Sequence, residues 1–202
     1  MFFKKKEKKD EPEEKLNWKQ NLILDLHDVI YVLAGFMILY MLFFRVVVVV
    51  GPSMYNTLVD GDRLVLVSNA LYQEPKRGDI IVASKKSFDN GECIVKRVIA
   101  TEGQEVDIDF KAGIVYVDGE ALIEDYTYTG TFMQEGMKFP LVVDEGCVFV
   151  MGDNRGMSKD SRDPEIGLID ERQILGKAIF LLSPGTHGGT EKADYDRIGV
   201  LD

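Results

Sequence analysis

Residues 46–58 read VVVVVGPSMYNTL, and this stretch decides the fold. Five β-branched residues in a row carry no helical period, and Gly51-Pro52 ends them. The stretch predicts a short buried strand that delivers Ser53 into a tight turn. A serine there can be a plain turn residue or a nucleophile, and the rest of the chain has to decide between the two.

Upstream, Val29 to Phe44 (VIYVLAGFMILYMLFF) is apolar without interruption. As a helix that run spans about 24 Å, short of a hydrocarbon core of roughly 30 Å. Leu22, Ile23 and Leu24 extend it, and Arg45 can snorkel at the far end. Residues 21–45 are therefore expected to be an uncleaved transmembrane anchor. A cleaved signal would need small residues after the apolar run, and here Arg45 and valines follow. Residues 1–20 form a charged arm. Seven Lys and Arg residues precede the span, whereas only Arg45 and Arg63 follow closely. The positive-inside bias puts the N-terminus in the cytoplasm and everything after the span outside it, giving a single-pass cell-membrane protein in contact with lipid.

Downstream, residues 46–184 read as one β-rich domain and 185–202 as a loose tail. Segments 62–68, 79–83, 92–99, 104–109, 113–117, 140–143, 147–151 and 174–182 have strand patterns separated by turn signals. Asp118-Gly119 is the strongest of these signals, suited to a type I′ hairpin. The fold class is mainly β: one N-terminal transmembrane helix followed by an extracytoplasmic all-β domain. The 202 residues carry a net charge of −10, which excludes a broad nucleic-acid surface. Cys93 and Cys147 sit in apolar runs without CxxC spacing and read as buried free thiols. No metal or cofactor is expected. His27 lies in the N-terminal segment and His187 in a Gly-rich tail, so neither is placed to act as base to a serine in the domain.

Two further segments could carry chemistry. In ECIVKRVI (92–99) the strand period puts Ile94, Lys96 and Val98 on one face, with Cys93, Val95, Arg97 and Ile99 on the other. If the Lys96 face is buried, desolvation lowers the amine's pKa toward that of a usable base; if it is solvated, Lys96 is an ordinary edge lysine. MGDNRGMSKDSRD (151–163) has the composition of a loop and lacks the spacing of a calcium-binding EF-hand. Its Ser158, Asp160 and Arg162 could form a polar network.

Taken in order, the anchor, GPSMYNTL, RGDIIV, IVKRVI, GDNRGMSKDSRD and ILGKA resemble the type I signal peptidases, in their short Gram-positive bacterial form. The resemblance runs from the anchor to about Pro184. It implies a membrane-bound serine endopeptidase that removes signal peptides from exported preproteins, with the secretion translocon as a candidate partner. By that resemblance Ser53 is the nucleophile and Lys96 the general base. Ser158 would orient the lysine, while Asp153, Asp160 and Arg162 hold the site together. Val49 and Val95 align with substrate-pocket positions. The chain departs from the family pattern at Asn56, where a proline is usual, and at Gly51, where some members carry an oxyanion-donating serine. A third departure is ATEGQEV (100–106) after KRVI. The rival readings are a self-cleaving Ser/Lys repressor, which would need a DNA-binding domain in place of the anchor, and a catalytically inactive tethered peptide-binding homologue. Reaction with a serine probe would separate an enzyme from the inactive homologue.

Overall fold

The computed structural model describes residues 17–85, 92–186 and 192–201. His187 and the arm before Asn17 lie outside them. Helix α1 covers Trp18–Phe43, and its apolar part, Asn21–Phe43, is 23 residues long. That is about 35 Å of helix, enough by length and composition to cross a membrane. Its described side chains are exposed on every face from Trp18 to Leu42, as suits a helix with an apolar solvent around it.

The anchor was expected to reach Arg45, but the helix stops at Phe43. Phe44 and Arg45 open strand β1 (Phe44–Val48) because the β-branched run pairs antiparallel with β2 (Arg63–Ser68) over all five residues, Phe44↔Val67 to Val48↔Arg63. Pairing recruits two residues that hydropathy alone assigns to the helix.

The strands that follow are β3 (Ile80–Ser84), β4 (Cys93–Thr101), β5 (Glu105–Asp109), β6 (Ile114–Val117), β7 (Glu120–Ala121), β8 (Leu141–Val142), β9 (Cys147–Met151), β10 (Ile169–Asp170), β11 (Ile174–Ser183) and β12 (Gly199–Val200). The larger sheet runs β1-β2-β11-β3-β4-β9-β10, with β12 added to β11; the smaller runs β7-β6-β5-β8. All pairings are antiparallel. The hairpin at Asp118-Gly119 forms as its sequence requires, with Asp118 at φ 54° and Val117 opposite Glu120.

Three apolar clusters fill the domain. One joins Val49, Met54 and Leu58 to Leu64, Leu66, Ile80, Val82, Ala178 and Leu181. The second lies under β3, β4 and β9 around Ile81, Val98 and Val150. The third fastens the small sheet to β4 and β9 through Ile99, Val106, Val115 and Phe149.

Three further expectations need correction. The valine run is not a buried strand: of Val46 to Val50 only Val49 is buried, while Val46, Val48 and Val50 are exposed, because β1 lies at the edge of the sheet with β2 as its one partner strand among the described residues. The tail is not loose over its described part, because β12 pairs with β11 and Arg197 reaches the buried Asp62. A two-residue strand is too short to show a period, yet the part of β11 beyond its pairing with β3 supplies a partner. The cysteines are both free, but Cys93 is exposed and Cys147 only half-buried. Cys93 opens β4 on the face that lines a groove rather than the core.

Candidate active site

Ser53 sits in a loop whose two ends are tied together. Val49 N–H donates to Asp62 O (2.8 Å) and Gly61 N–H to Val49 O (2.9 Å). Within the loop, Met54 and Leu58 are fully buried and linked by a Leu58 N–H to Met54 O bond of 2.8 Å. Both side chains enter the first apolar cluster, so the core grips the segment immediately after the serine. Gly51 lies at φ +86°, a backbone conformation that a serine would enter only with strain, and its N–H donates to Asp60 Oδ1 at 2.8 Å. The Ser53 N–H donates to no acceptor among the described residues.

Lys96 lies on the buried face of β4, 4% exposed. Its Nζ is 2.9 Å from Ser53 Oγ and 2.9 Å from the Val95 carbonyl. Burial pushes its pKa down from 10.5 to about 8. Asp160, Asp153 and Glu135 pull it back up, and Arg162 lowers it further. The strand showed no carboxylate close to Lys96 in sequence; the three that matter arrive from other segments.

The 152–162 loop closes over this pair. Asn154 N–H donates to Ser53 O (3.0 Å) and Asn154 Nδ2 to Pro52 O (3.1 Å), so the loop holds the serine turn by its backbone. Gly152 is required by packing: a Cβ there would stand 2.2 Å from Ser158 Oγ and 2.4 Å from Ser53 O. Asp153 takes Arg97 Nε and Nη2 at 2.9 and 2.8 Å and also accepts from Thr57 Oγ1. Asp160 takes Arg162 Nε and Nη2, both at 2.8 Å, and the Gly152 N–H at 3.0 Å. Both pairs are buried, where removal of either partner leaves an uncompensated charge.

Ser158 meets this network through its backbone carbonyl, 3.3 Å from Arg162 Nη2, but not through its side chain. Its Oγ is buried and has no hydrogen-bond partner among the described residues, so the expected orienting bond to Lys96 is not made in this conformation. The other such atom is Glu135 Oε2, on a carboxyl whose Oε1 lies 3.3 Å from Arg162 Nη2. Burial raises the Glu135 pKa to about 7 against the pull of Arg162, with Asp160 and Asp163 adding to the rise.

A groove of about 590 Å³ ends on Ser53 and Lys96. Its banks are Val47 to Pro52 on one side and Glu92 to Val95 on the other, with Met157 and Lys159 from the covering loop. Val49 and Val95 both line it, as does Cys93. Among the described residues no strand pairs with either bank on the groove side, because β1 pairs only with β2 and β4 pairs with β9 only from Arg97 onward; the Val95 carbonyl is the atom of this edge that Lys96 takes.

The fold thus brings together Ser53, Lys96, Asp153, Asp160, Arg162, Val49 and Val95, and leaves the Ser158 hydroxyl adjacent but unbonded. Sequence reasoning missed Arg97, Asn154, Thr57 and Glu135 as partners. Arg97, Asn154 and Thr57 lay inside the quoted motifs and could have been found there; Glu135 carries no local signal.

An extended groove with open strand edges, ending on a serine paired to a buried amine, has the layout of a peptidase. Comparison with known proteins gives the family. The profile described as "Signal peptidase, peptidase S26" matches residues 23–183. A probable signal peptidase I-1 of Synechocystis sp. is 39% identical over 69% of this chain and 71% of its own length. Signal peptidase I of Bacillus licheniformis is 34% identical over 85% and 95%, and signal peptidase I T of Bacillus subtilis 37% identical over 77% and 82%. The chain belongs to the signal peptidase family, peptidase S26, and is a peptidase of that family with an N-terminal apolar helix.

Proposed function

We propose that this chain is a type I signal peptidase that cleaves signal peptides from exported preproteins by acyl-enzyme chemistry, with Ser53 as nucleophile and Lys96 as general base. The observation that carries the reading is the 2.9 Å approach of Lys96 Nζ to Ser53 Oγ with the amine buried. A neutral amine has one lone pair and two N–H donors. The Val95 carbonyl takes one donor, which leaves the lone pair free to face the hydroxyl.

The substrate enters the groove as an extended strand between β1 and residues 93–96 of β4, with small side chains set against Val49 and Val95. Ser53 Oγ attacks the scissile carbonyl carbon while Lys96 takes the hydroxyl proton. The developing oxyanion is served by the unengaged Ser53 N–H. Collapse breaks the C–N bond, and Lys96 returns the proton to the departing amine. Water then adds to the acyl-enzyme with Lys96 again as base, releasing the signal peptide and restoring Ser53. Asp153 and Asp160 hold their arginines and so fix the loop over the dyad, while Ser158 supplies a hydroxyl that pairs with the lysine once substrate closes the site.

The lysine-rich arm on one side of a single span supports an N-terminus inside and a catalytic domain outside, where signal helices end. A membrane-held enzyme meets a membrane-borne substrate at raised effective concentration. The test is Ser53→Ala in a preprotein cleavage assay: processing is expected to vanish while folding and membrane insertion persist. Wild-type-like cleavage by this variant would end the reading.

A further inference from the structure

The loop that carries Ser53 is fastened on its far side by the end of the chain. Asp62 is fully buried, and its carboxylate collects four donors. Val59 N–H (2.9 Å) and Arg197 Nη2 (2.6 Å) meet Oδ2; Gly185 N–H (2.7 Å) and Arg197 Nη1 (3.1 Å) meet Oδ1. Arg197 is the one cation in ion-pair range of Asp62 among the described residues. The same Nη2 also donates to Thr57 O at 3.0 Å. Thr57 in turn bonds Asp153 through its hydroxyl, and Asp153 holds Arg97, the neighbour of Lys96.

Arg197 is itself positioned. It closes a short 3₁₀ turn, Tyr195–Arg197, begun by Asp194, whose side chain accepts the Asp196 N–H. Immediately after it, β12 pairs with β11 at Phe180↔Val200 and Leu181↔Gly199, and Leu201 N–H bonds Ile179 O at 3.0 Å. Leu201 also packs on the cluster that contains Met54 and Leu58. The segment is thus registered against the sheet before its guanidinium reaches inward. A planar fork that spans a carboxylate and a carbonyl fixes both in direction as well as distance, which an ammonium would not do.

We propose that Arg197 is a positioning residue for Ser53, acting through the Asp62 carboxylate and the Thr57 carbonyl to fix the Val49–Asp62 loop. The inference rests on the reading of Ser53 as nucleophile. A loop closed at its base and gripped at Met54 and Leu58 can still tilt about those points. Arg197 supplies a third fixed point by tying the Thr57 carbonyl to the Asp62 carboxylate, and three points define the attitude of the serine turn toward Lys96.

The test uses the full chain in detergent with a peptide that spans a signal-peptide cleavage site, and compares Arg197→Ala, Arg197→Lys and Ser53→Ala. Misplacing a nucleophile by a fraction of an ångström is expected to lower kcat of Arg197→Ala roughly 10-fold. KM should stay within about twofold, because Arg197 contacts Thr57 and Asp62, neither of which lines the groove. Arg197→Lys should recover part of the loss. Titrating competent sites with a serine-reactive probe separates positioning from misfolding: the proposal requires the turnover per labelled site to fall. If turnover per labelled site is unchanged and only the number of sites drops, Arg197 is a structural clip and the proposal fails. An unchanged kcat in Arg197→Ala beside an inactive Ser53→Ala also overturns it while sparing the nucleophile. Full activity in Ser53→Ala would remove the reading on which both depend.

Discussion

Titrating Lys96 is the most demanding test of this site. At the ordinary value of 10.5 only about one molecule in 3,000 would carry the free amine at pH 7, whereas at about 8 roughly one in 11 does. Burial therefore raises the working fraction by about 300-fold, against the pull of Asp160, Asp153 and Glu135. The expected kcat/KM profile, measured on a signal-peptide substrate from pH 6 to 10, has one acid limb with an apparent pKa near 8. It falls about tenfold per unit below that value. The same titration enters stability. Between about 8 and 10.5 the folded chain binds fewer protons at Lys96 than the unfolded chain, so stability rises with pH through that window. Below it the full cost of burying the ammonium is present, about 3 kcal/mol from a shift of this size. Lys96→Met should be inactive yet more stable than wild type at pH 7 by up to that amount, with the difference gone by pH 10.5. A flat kcat/KM between pH 6 and 9, or a limb above pH 10, would refute the buried-base argument. Equal stability of the two proteins across the whole range would refute the linkage.

Two further predictions come from the covering loop. Ser158→Ala should lower kcat by about 10- to 10³-fold, as an orienting bond of a few kcal/mol implies. Its melting temperature should hold or rise, because the variant removes a buried hydroxyl that has no partner in the resting fold; loss of stability without loss of kcat would reverse that assignment. Asp153→Asn removes the carboxylate charge 2.8 Å from the buried Arg97 guanidinium, and denaturant unfolding should show a loss of about 3–5 kcal/mol. A loss under 1 kcal/mol would mean that the remaining partners of Arg97, among them the Gly78 carbonyl at 2.8 Å and the Tyr126 ring at 4.0 Å, are enough to hold it.

The strands were legible because each is a short alternating or β-branched run between turn residues, and β2 to β6, β9 and β11 fall within one or two residues of their patterns. Their order was not legible. Nothing in ILGKAIFLL says that β11 lies between β2 and β3, since that position is fixed by non-local packing. The candidate site was nameable where residues lie in motifs, and Ser53, Lys96, Asp153, Asp160 and Arg162, named that way, come together in the fold. It was unreadable where contact is made across the chain. The carboxylates that tune Lys96 come from segments 39 or more residues away, and Arg197 meets Asp62 from 135 residues away. The expected Ser158 to Lys96 bond failed for another reason: a hydroxyl rotor and a four-carbon amine have several acceptable partners, and here the lysine chooses Ser53 and Val95.

The open edge of β1 has a consequence for the molecule's solution behaviour. Edge strands are usually blunted by an inward charge, a lysine, a proline or a bulge. Here Val46, Val48 and Val50 are 49%, 54% and 84% exposed, and no charge interrupts the run from Val46 to Val50. A bank left bare so that a passing strand can add to it will also accept a strand from another copy of itself, and a valine run of this kind has the composition of an aggregating segment. What opposes such self-association is long-range: a net charge of −10 makes copies of the protein repel one another. That protection weakens as salt screens it, so the susceptibility of the domain to fibrous or amorphous association is set by ionic strength and by whether the edge is occupied.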